Sequence, residues 1–160
     1  MVTNQDLKQI IMLSYLSDEM RSKLIPHTEG LHFQERESVF KSGEVADVFF
    51  MLKTGKVLLE HRLSDKMTVT VGTIKAGFSF GWSAMIADGR YTLDAVCAEE
   101  SEVLAISSDT LVGIMDNDHK MGYIIMQRLL RVMQTRLDNR TDQFIRVIAK
   151  HPDIQSLIVE

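Results

Sequence analysis

The sequence predicts a mainly β domain flanked by helices: a sandwich or jelly roll of short strands that leads into a long C-terminal helix. Two observations carry this reading. Between about residues 29 and 106, short apolar runs are broken by turn residues at roughly the 8–12-residue spacing of an antiparallel β fold. On either side the apolar residues recur at helical spacing instead, Leu16, Met20 and Leu24 before the strands and Ile125, Leu129 and Val132 after them.

In the first part, about residues 3–26, Ser17 before DEMRSKLI reads as a helix N-cap followed by acids, which the helix dipole favours in a first turn. Pro26 ends that helix. In the β part, Ser42-Gly43 and Thr54-Gly55 stand where chain reversals need residues tolerant of positive φ. Met67, Val69 and Val71 alternate with Thr68 and Thr70, which predicts one buried and one polar face. A short helix, about 82–87, interrupts the strands, and Val103–Ile106 closes them. Ser108 and Asp109 then cap a short helix through Met115, and a long helix runs from near Asp118 to about Val147. Its roughly 30 residues reach ~45 Å, more than a β domain of ~80 residues can cover. The organisation is N-terminal helices at 1–28, a β domain at 29–107 and C-terminal helices at 108–160.

Composition narrows the function classes. The 160 residues are 45% hydrophobic and 25% charged with 9 Gly and 2 Pro, which excludes a disordered or collagen-like chain. No run approaches the ~18 apolar residues of a membrane span. The start, MVTNQDLKQIIMLSYL, lacks the features of a signal peptide, so a soluble cytoplasmic protein with no membrane partner is expected. A single cysteine, Cys97, forbids an internal disulfide and a multi-cysteine metal site. Net charge is −4, and from Asp118 onward seven Lys/Arg face five Asp/Glu, a balance that argues against a nucleic-acid partner.

Two apolar lines run along the long helix. Ile125, Leu129 and Val132 make one; Met126, Leu130, Met133, Leu137, Phe144 and Val147 make the other, with Arg140 interrupting it. Two lines imply two packing surfaces, one for the β domain and one for a second subunit. The expected interface of a homodimer is therefore Met126, Leu130, Met133, Leu137 and Phe144. The alternative is that His151–Glu160 folds back over the second line.

Helices, then some eight strands with Gly43 and Gly55 in turns, then GFSFGWSAMIADGRYTLDAV, then VLAI and a long helix follow one another over about residues 10–145. With the glycine-turn strand VFFMLKTGKV, this order resembles the cyclic-nucleotide-binding domains of catabolite-activator and protein-kinase regulatory proteins. The resemblance implies an eight-stranded jelly roll (a double-stranded β-helix) and a regulatory, signal-transducing role rather than an enzyme. It also implies a phosphate-binding cassette, here 78–96, with the motif F-G-E-x-A-L and, eight residues on, R-x-A-S/T. In that cassette backbone N–H groups and the arginine hold the cyclic phosphate, while the glutamate takes a ribose hydroxyl.

On this sequence the cassette begins at Phe80-Gly81, and Gly81, Ser83 and Ala84 match the motif. Trp82 stands at the glutamate position, Tyr91 at the arginine and Asp94 at the Ser/Thr, which places the chain in a divergent F-G-W-S-A subgroup. The candidate ligand-binding residues are Phe80, Gly81, Trp82, Ser83, Ala84, Arg90, Tyr91, Thr92 and Asp94, with Met133 and Arg136 from the long helix. The effector, a cyclic nucleotide or another small molecule, is not identified by them; no resident cofactor is expected. A hydrogen bond to a charged group is worth ~1.5–3 kcal/mol. A carboxylate ~4 Å from a phosphate costs about 4 kcal/mol at an effective dielectric of ~20. Together these changes lower affinity by roughly 10⁴-fold. Arg90, one residue before the arginine position, replaces the missing ligand only if the loop turns it inward.

Each of these residues has a plainer reading. Trp82 caps a filled pocket or stacks on a ligand, and Tyr91 is a strand residue against the C-terminal helix. Asp94 pairs with Arg90 or Arg136, or else selects a cationic or neutral ligand. Cys97 is a small core residue, and methionines such as Met115, Met121, Met126 and Met133 fill core gaps or serve a malleable interface. The histidines (His27, His32, His61, His119 and His151) show no metal-ligand spacing, and no G-x-S-x-G or P-loop occurs, so neither a catalytic nor a metal site is expected. About 13 residues follow Val147, too few for a helix-turn-helix. A sensor signalling through its long helix to a partner protein, or a ligand-free dimerisation module, is what the sequence supports.

Overall fold

The computed structural model describes residues 1–86 and 88–158. Helix α1 (Asn4–Gln9) opens on a capping box, in which Thr3 Oγ accepts from the Asp6 N–H and the Asp6 carboxylate accepts from the Thr3 N–H. A 3₁₀ turn, Leu13–Tyr15, leads to α2 (Asp18–Leu24), where Ser17 Oγ accepts from the Met20 N–H at 3.2 Å, the cap read from the sequence. A second 3₁₀ turn, Ile25–His27, carries Pro26.

Arg21 organises this segment. Only 3% exposed, it donates from Nε to Asn4 Oδ1 at 2.9 Å, and from its terminal nitrogens to the carbonyls of Leu13 and Leu16 and to the Asp18 carboxylate. One planar, five-donor side chain thus ties α1, the turn and α2 together. Lys53 Nζ adds an ionic link to the strands, 3.0 Å from Asp6 and 2.8 Å from Glu102.

Eight strands follow: β1 (Glu29–Phe33), β2 (Ser38–Phe40), β3 (Val48–Thr54), β4 (Lys56–Ser64), β5 (Met67–Lys75), β6 (Ser79–Phe80), β7 (Asp94–Cys97) and β8 (Ser101–Ser107). They form two four-stranded antiparallel sheets in the orders β1-β8-β3-β6 and β2-β7-β4-β5. Only β4 and β5 are both consecutive and paired; every other connection crosses between sheets, which is the jelly-roll topology. Gly55 turns β3 into β4 at φ +91°, where a Cβ would lie 2.2 Å from Ser101 Oγ. In β5, Val69 and Val71 are half-buried, but Met67 is exposed. The reason is local: β7 pairs with β4 only from Val57 to Glu60, so the tip of the β4–β5 hairpin has no neighbour on that side.

Two buried layers result. Phe40, Phe50, Leu52, Val57, Phe80, Ala95, Val103 and Ala105 belong to one core between the sheets. Their strand neighbours Phe49, Met51, Leu104 and Ile106 point to the other side of the β1-β8-β3-β6 sheet, and are just as buried. The N-terminal helices face that side; Ser79 Oγ donates to Met12 Sδ and the Ile11 N–H to the Gly77 carbonyl.

Helix α3 (Ser108–Asn117) begins one residue earlier than the sequence predicts. Ser107 takes the cap position without a side-chain capping bond, and the Ser108 N–H donates to the Asp47 carbonyl at 2.8 Å. Helix α4 (His119–Ala149) starts on Asp118, whose carboxylate accepts from the Met121 N–H at 3.0 Å and from Lys23 Nζ at 2.8 Å. A last helix, α5, spans Pro152–Ile158.

The chain divides into two compact units, Met1–Ile124 and Ile125–Glu160, with α4 running through the boundary. In the second unit Leu130, Leu137, Phe144 and Val147 are each about two-thirds exposed, 65% at least. Residues 87, 159 and 160, including one end of the short helix read at 82–87, lie outside the described residues.

Candidate functional site

The cassette-like segment runs from β6 through a 3₁₀ turn, Trp82–Met85, to β7. Two glycines shape it. Gly81 enters the turn in the left-handed region at φ +75°, and a Cβ there would meet Phe50 Cδ2 at 3.0 Å. At Gly89 a Cβ would fall 2.1 Å from the Ser83 carbonyl oxygen. The turn closes with N–H donation from Ala84 to Gly81 and from Gly89 to Ile86.

The return limb is fixed by backbone bonds to the loop after β2. The Ala46 N–H donates to Gly89, the Tyr91 N–H to Glu44 and the Gly43 N–H to Tyr91, all at 2.8–3.0 Å. These three bonds hold the loop through its backbone, whatever side chains it carries at those positions.

Tyr91 lies ahead of β7 rather than in a strand, and its ring packs between the sheets instead of on the C-terminal helix, because Phe40 and Val48 supply its partners. It is 4% exposed and lies flat on Phe40 of β2, with centroids 3.8 Å apart and planes at 13°. Phe50 of β3 and Phe80 of β6 complete the aromatic block, Phe50–Phe80 at 5.5 Å and Phe40–Phe80 at 6.0 Å. The Tyr91 hydroxyl donates to the Val48 carbonyl at 2.7 Å and accepts from the Val48 N–H at 3.4 Å. Burial pushes this phenol up to about 12.

Trp82 takes the other direction. Its ring meets Phe49 edge-on at 4.9 Å and 61°. Phe49 and Phe50 are successive residues of one strand, so Trp82 and Tyr91 pack on opposite faces of β3. Phe80, Gly81, Ala84 and Tyr91 come together around the inter-sheet core; Trp82 belongs to the layer outside it.

The polar candidates are engaged locally. Arg90 is exposed and donates to the Gly43 carbonyl at 2.7 Å. The Asp94 carboxylate accepts from the Ser42 N–H at 2.7 Å, a backbone partner that sequence spacing does not reveal. Ser83 is half-buried and Thr92 exposed. Met133 and Arg136 lie on α4 in the second unit. The Cys97 thiol is buried and pushed up by that burial, which keeps it protonated. Among the described residues no group of three His, Cys, Asp or Glu is placed to hold a metal ion, and no helix is long and apolar enough to cross a membrane.

A two-sheet jelly roll with a glycine-shaped cassette between β6 and β7 defines the class of this protein. Residues 31–118, more than half of the chain, match the family model for the cyclic nucleotide-binding domain. The chain belongs to that family, whose members are regulatory domains. A cGMP-dependent protein kinase from Eimeria tenella is 22% identical over 144 residues, 89% of this chain; the chain spans 14% of that kinase. Among solved structures, a cyclic nucleotide-binding domain from Methylobacillus flagellatus superposes with a TM-score of 0.81 at 18% identity, covering 93% of this chain and 86% of its own. A regulatory subunit of a cAMP-independent protein kinase A from Trypanosoma brucei superposes at 0.71 with 16% identity, covering 88% of this chain and 49% of its own.

Proposed function

We propose that this chain is a regulatory domain whose cassette keeps the family's backbone but does not read a cyclic phosphate, and whose output passes through α4. The observation that carries the proposal is Tyr91. At the position where the resemblance implies a phosphate-binding arginine, the chain has a neutral ring stacked on Phe40 and hydrogen-bonded to Val48. An anion brought there meets apolar surface and no positive charge, which costs several kcal/mol against a paired site. The Trypanosoma brucei neighbour, described as cAMP-independent, is a precedent in this fold.

The exposed α4 line supports a homodimer as the form in which the domain acts, through Met126, Leu130, Met133, Leu137 and Phe144. In this reading the domain is a cytoplasmic protein-interaction module, neither an enzyme nor a nucleic-acid binder. A small-molecule effector would meet the polar rim of the cassette, Ser83, Arg90, Thr92 and Asp94.

Calorimetry tests the proposal. Cyclic AMP and cyclic GMP should give no saturable heat below about a millimolar. Trp82→Glu, Tyr91→Arg and Asp94→Thr together should raise the affinity measurably. Micromolar binding by the unaltered chain would overturn the proposal and assign the phosphate to Arg90.

A further inference from the structure

We infer that the Tyr91 side chain is a tethered occupant of the space between the two sheets, and that removing it leaves a binding site for a free phenol. This rests on the reading that the cassette interior is filled.

The contacts of the ring are those a free ligand would make. One face stacks on Phe40 from β2, and the hydroxyl reaches Val48 of β3 at 2.7 Å, so the side chain touches both sheets. The hydroxyl both donates to and accepts from the backbone of a single residue, Val48. A phenolic oxygen has one donor and acceptor capacity, and the pair meets both. The covalent attachment, by contrast, is held without the ring: backbone bonds at Gly89, Tyr91 and Gly43 hold the limb, together with the bonds from Arg90 to the Gly43 carbonyl and from the Ser42 N–H to Asp94.

Truncation at Tyr91 therefore removes the occupant and leaves its frame standing. Aromatic walls with one polar anchor suit a small aromatic molecule that carries a single hydroxyl and can displace the water that would otherwise meet Val48. The ligand class is a monocyclic phenol, p-cresol being the Tyr91 side chain detached. In the unaltered chain the same site is permanently filled, so the cassette is held by an internal group.

The test uses the full chain carrying Tyr91→Ala, with p-cresol as the probe. Calorimetry and thermal shift should show saturable binding at least tenfold tighter than to the unaltered chain, and a rise in melting temperature with p-cresol that Tyr91→Phe does not show. Toluene, which lacks the hydroxyl, should bind more weakly. Equal or absent p-cresol binding by a folded Tyr91→Ala chain overturns the inference, and toluene binding as tightly as p-cresol overturns the anchoring by Val48. If Tyr91→Ala does not fold, Tyr91→Val is held to the same outcomes with phenol and benzene. Cyclic-nucleotide titration of the unaltered chain is independent of all these, so failure here and failure of the proposed function are told apart.

Discussion

The ring of Tyr91 lies on that of Phe40, centroids 3.8 Å apart and planes 13° from parallel. Through this contact a loop between two elements of the cassette is joined to β2 in the opposite sheet from β6. Burying a side chain of this kind contributes ~1.5–3 kcal/mol, and stacking adds about 0.5–1.5 kcal/mol more. A charge at the same place would have to be paired to be tolerated. The position therefore serves packing, and four expectations follow from the structure around it and along the chain.

The alkaline limit of stability should depend on Tyr91. Its folded phenol titrates at about 12, above the ordinary value of about 10. The folded state favours the neutral form, so the contribution is complete below about pH 10 and is lost as pH rises toward about 12. In an absorbance titration the Tyr91 phenol should give a final step toward about 12. Tyr91→Phe should remove that step and flatten the loss of stability; an unchanged final step would contradict the burial.

Glycine substitutions should rank by what a Cβ meets. Gly43→Ala, at φ +88° with nothing within 4 Å, incurs only backbone strain, about 1 kcal/mol. Gly81→Ala adds pressure on the Phe50 ring and should cost about 2 kcal/mol. Gly89→Ala collides with the Ser83 carbonyl and should be the most damaging. Urea midpoints of the three variants check the order.

Arg21→Met should lower stability by about 3 kcal/mol, because it strands the Leu13 and Leu16 carbonyls and the Asn4 side chain without their donor. Arg21→Lys should recover only part of this, since one ammonium cannot span the partners of a planar fork. Chemical denaturation followed by circular dichroism measures both.

Met133→Arg should convert a dimer to monomers by placing a charge in the α4 seam. Sedimentation of the unaltered chain at tens of micromolar is the control, since a ~10 μM affinity corresponds to about −7 kcal/mol. A monomer there would mean that the exposed line does not pair with a second copy.

The sequence by itself determined the order and kind of the elements. Ser17 caps α2 and Gly55 turns β3 into β4 because caps and reversals depend on residues within a few positions of each other. The two apolar lines of α4 are legible for the same reason. The cassette was legible as well, but only as a stretch of backbone with three exchanged side chains.

Only the tertiary structure decided where those side chains point. A period of two separates the faces of β3 without saying that Phe50 looks between the sheets and Phe49 away from them, so Tyr91 and Trp82 could not be assigned to opposite sides. Tyr91 sits in a limb with no period, fixed by Glu44 and Gly43 more than forty residues earlier. Ser107 rather than Ser108 stands at the cap position of α3, and the Ser108 N–H finds its acceptor on Asp47, far earlier in the chain. Arg21 is polar in sequence and buried in the fold because its five donors find partners that converge only when α1 and α2 meet. Local propensity sets each element; the direction of a side chain is set by contacts between residues far apart in the chain, and the chemistry of this cassette lies in those directions.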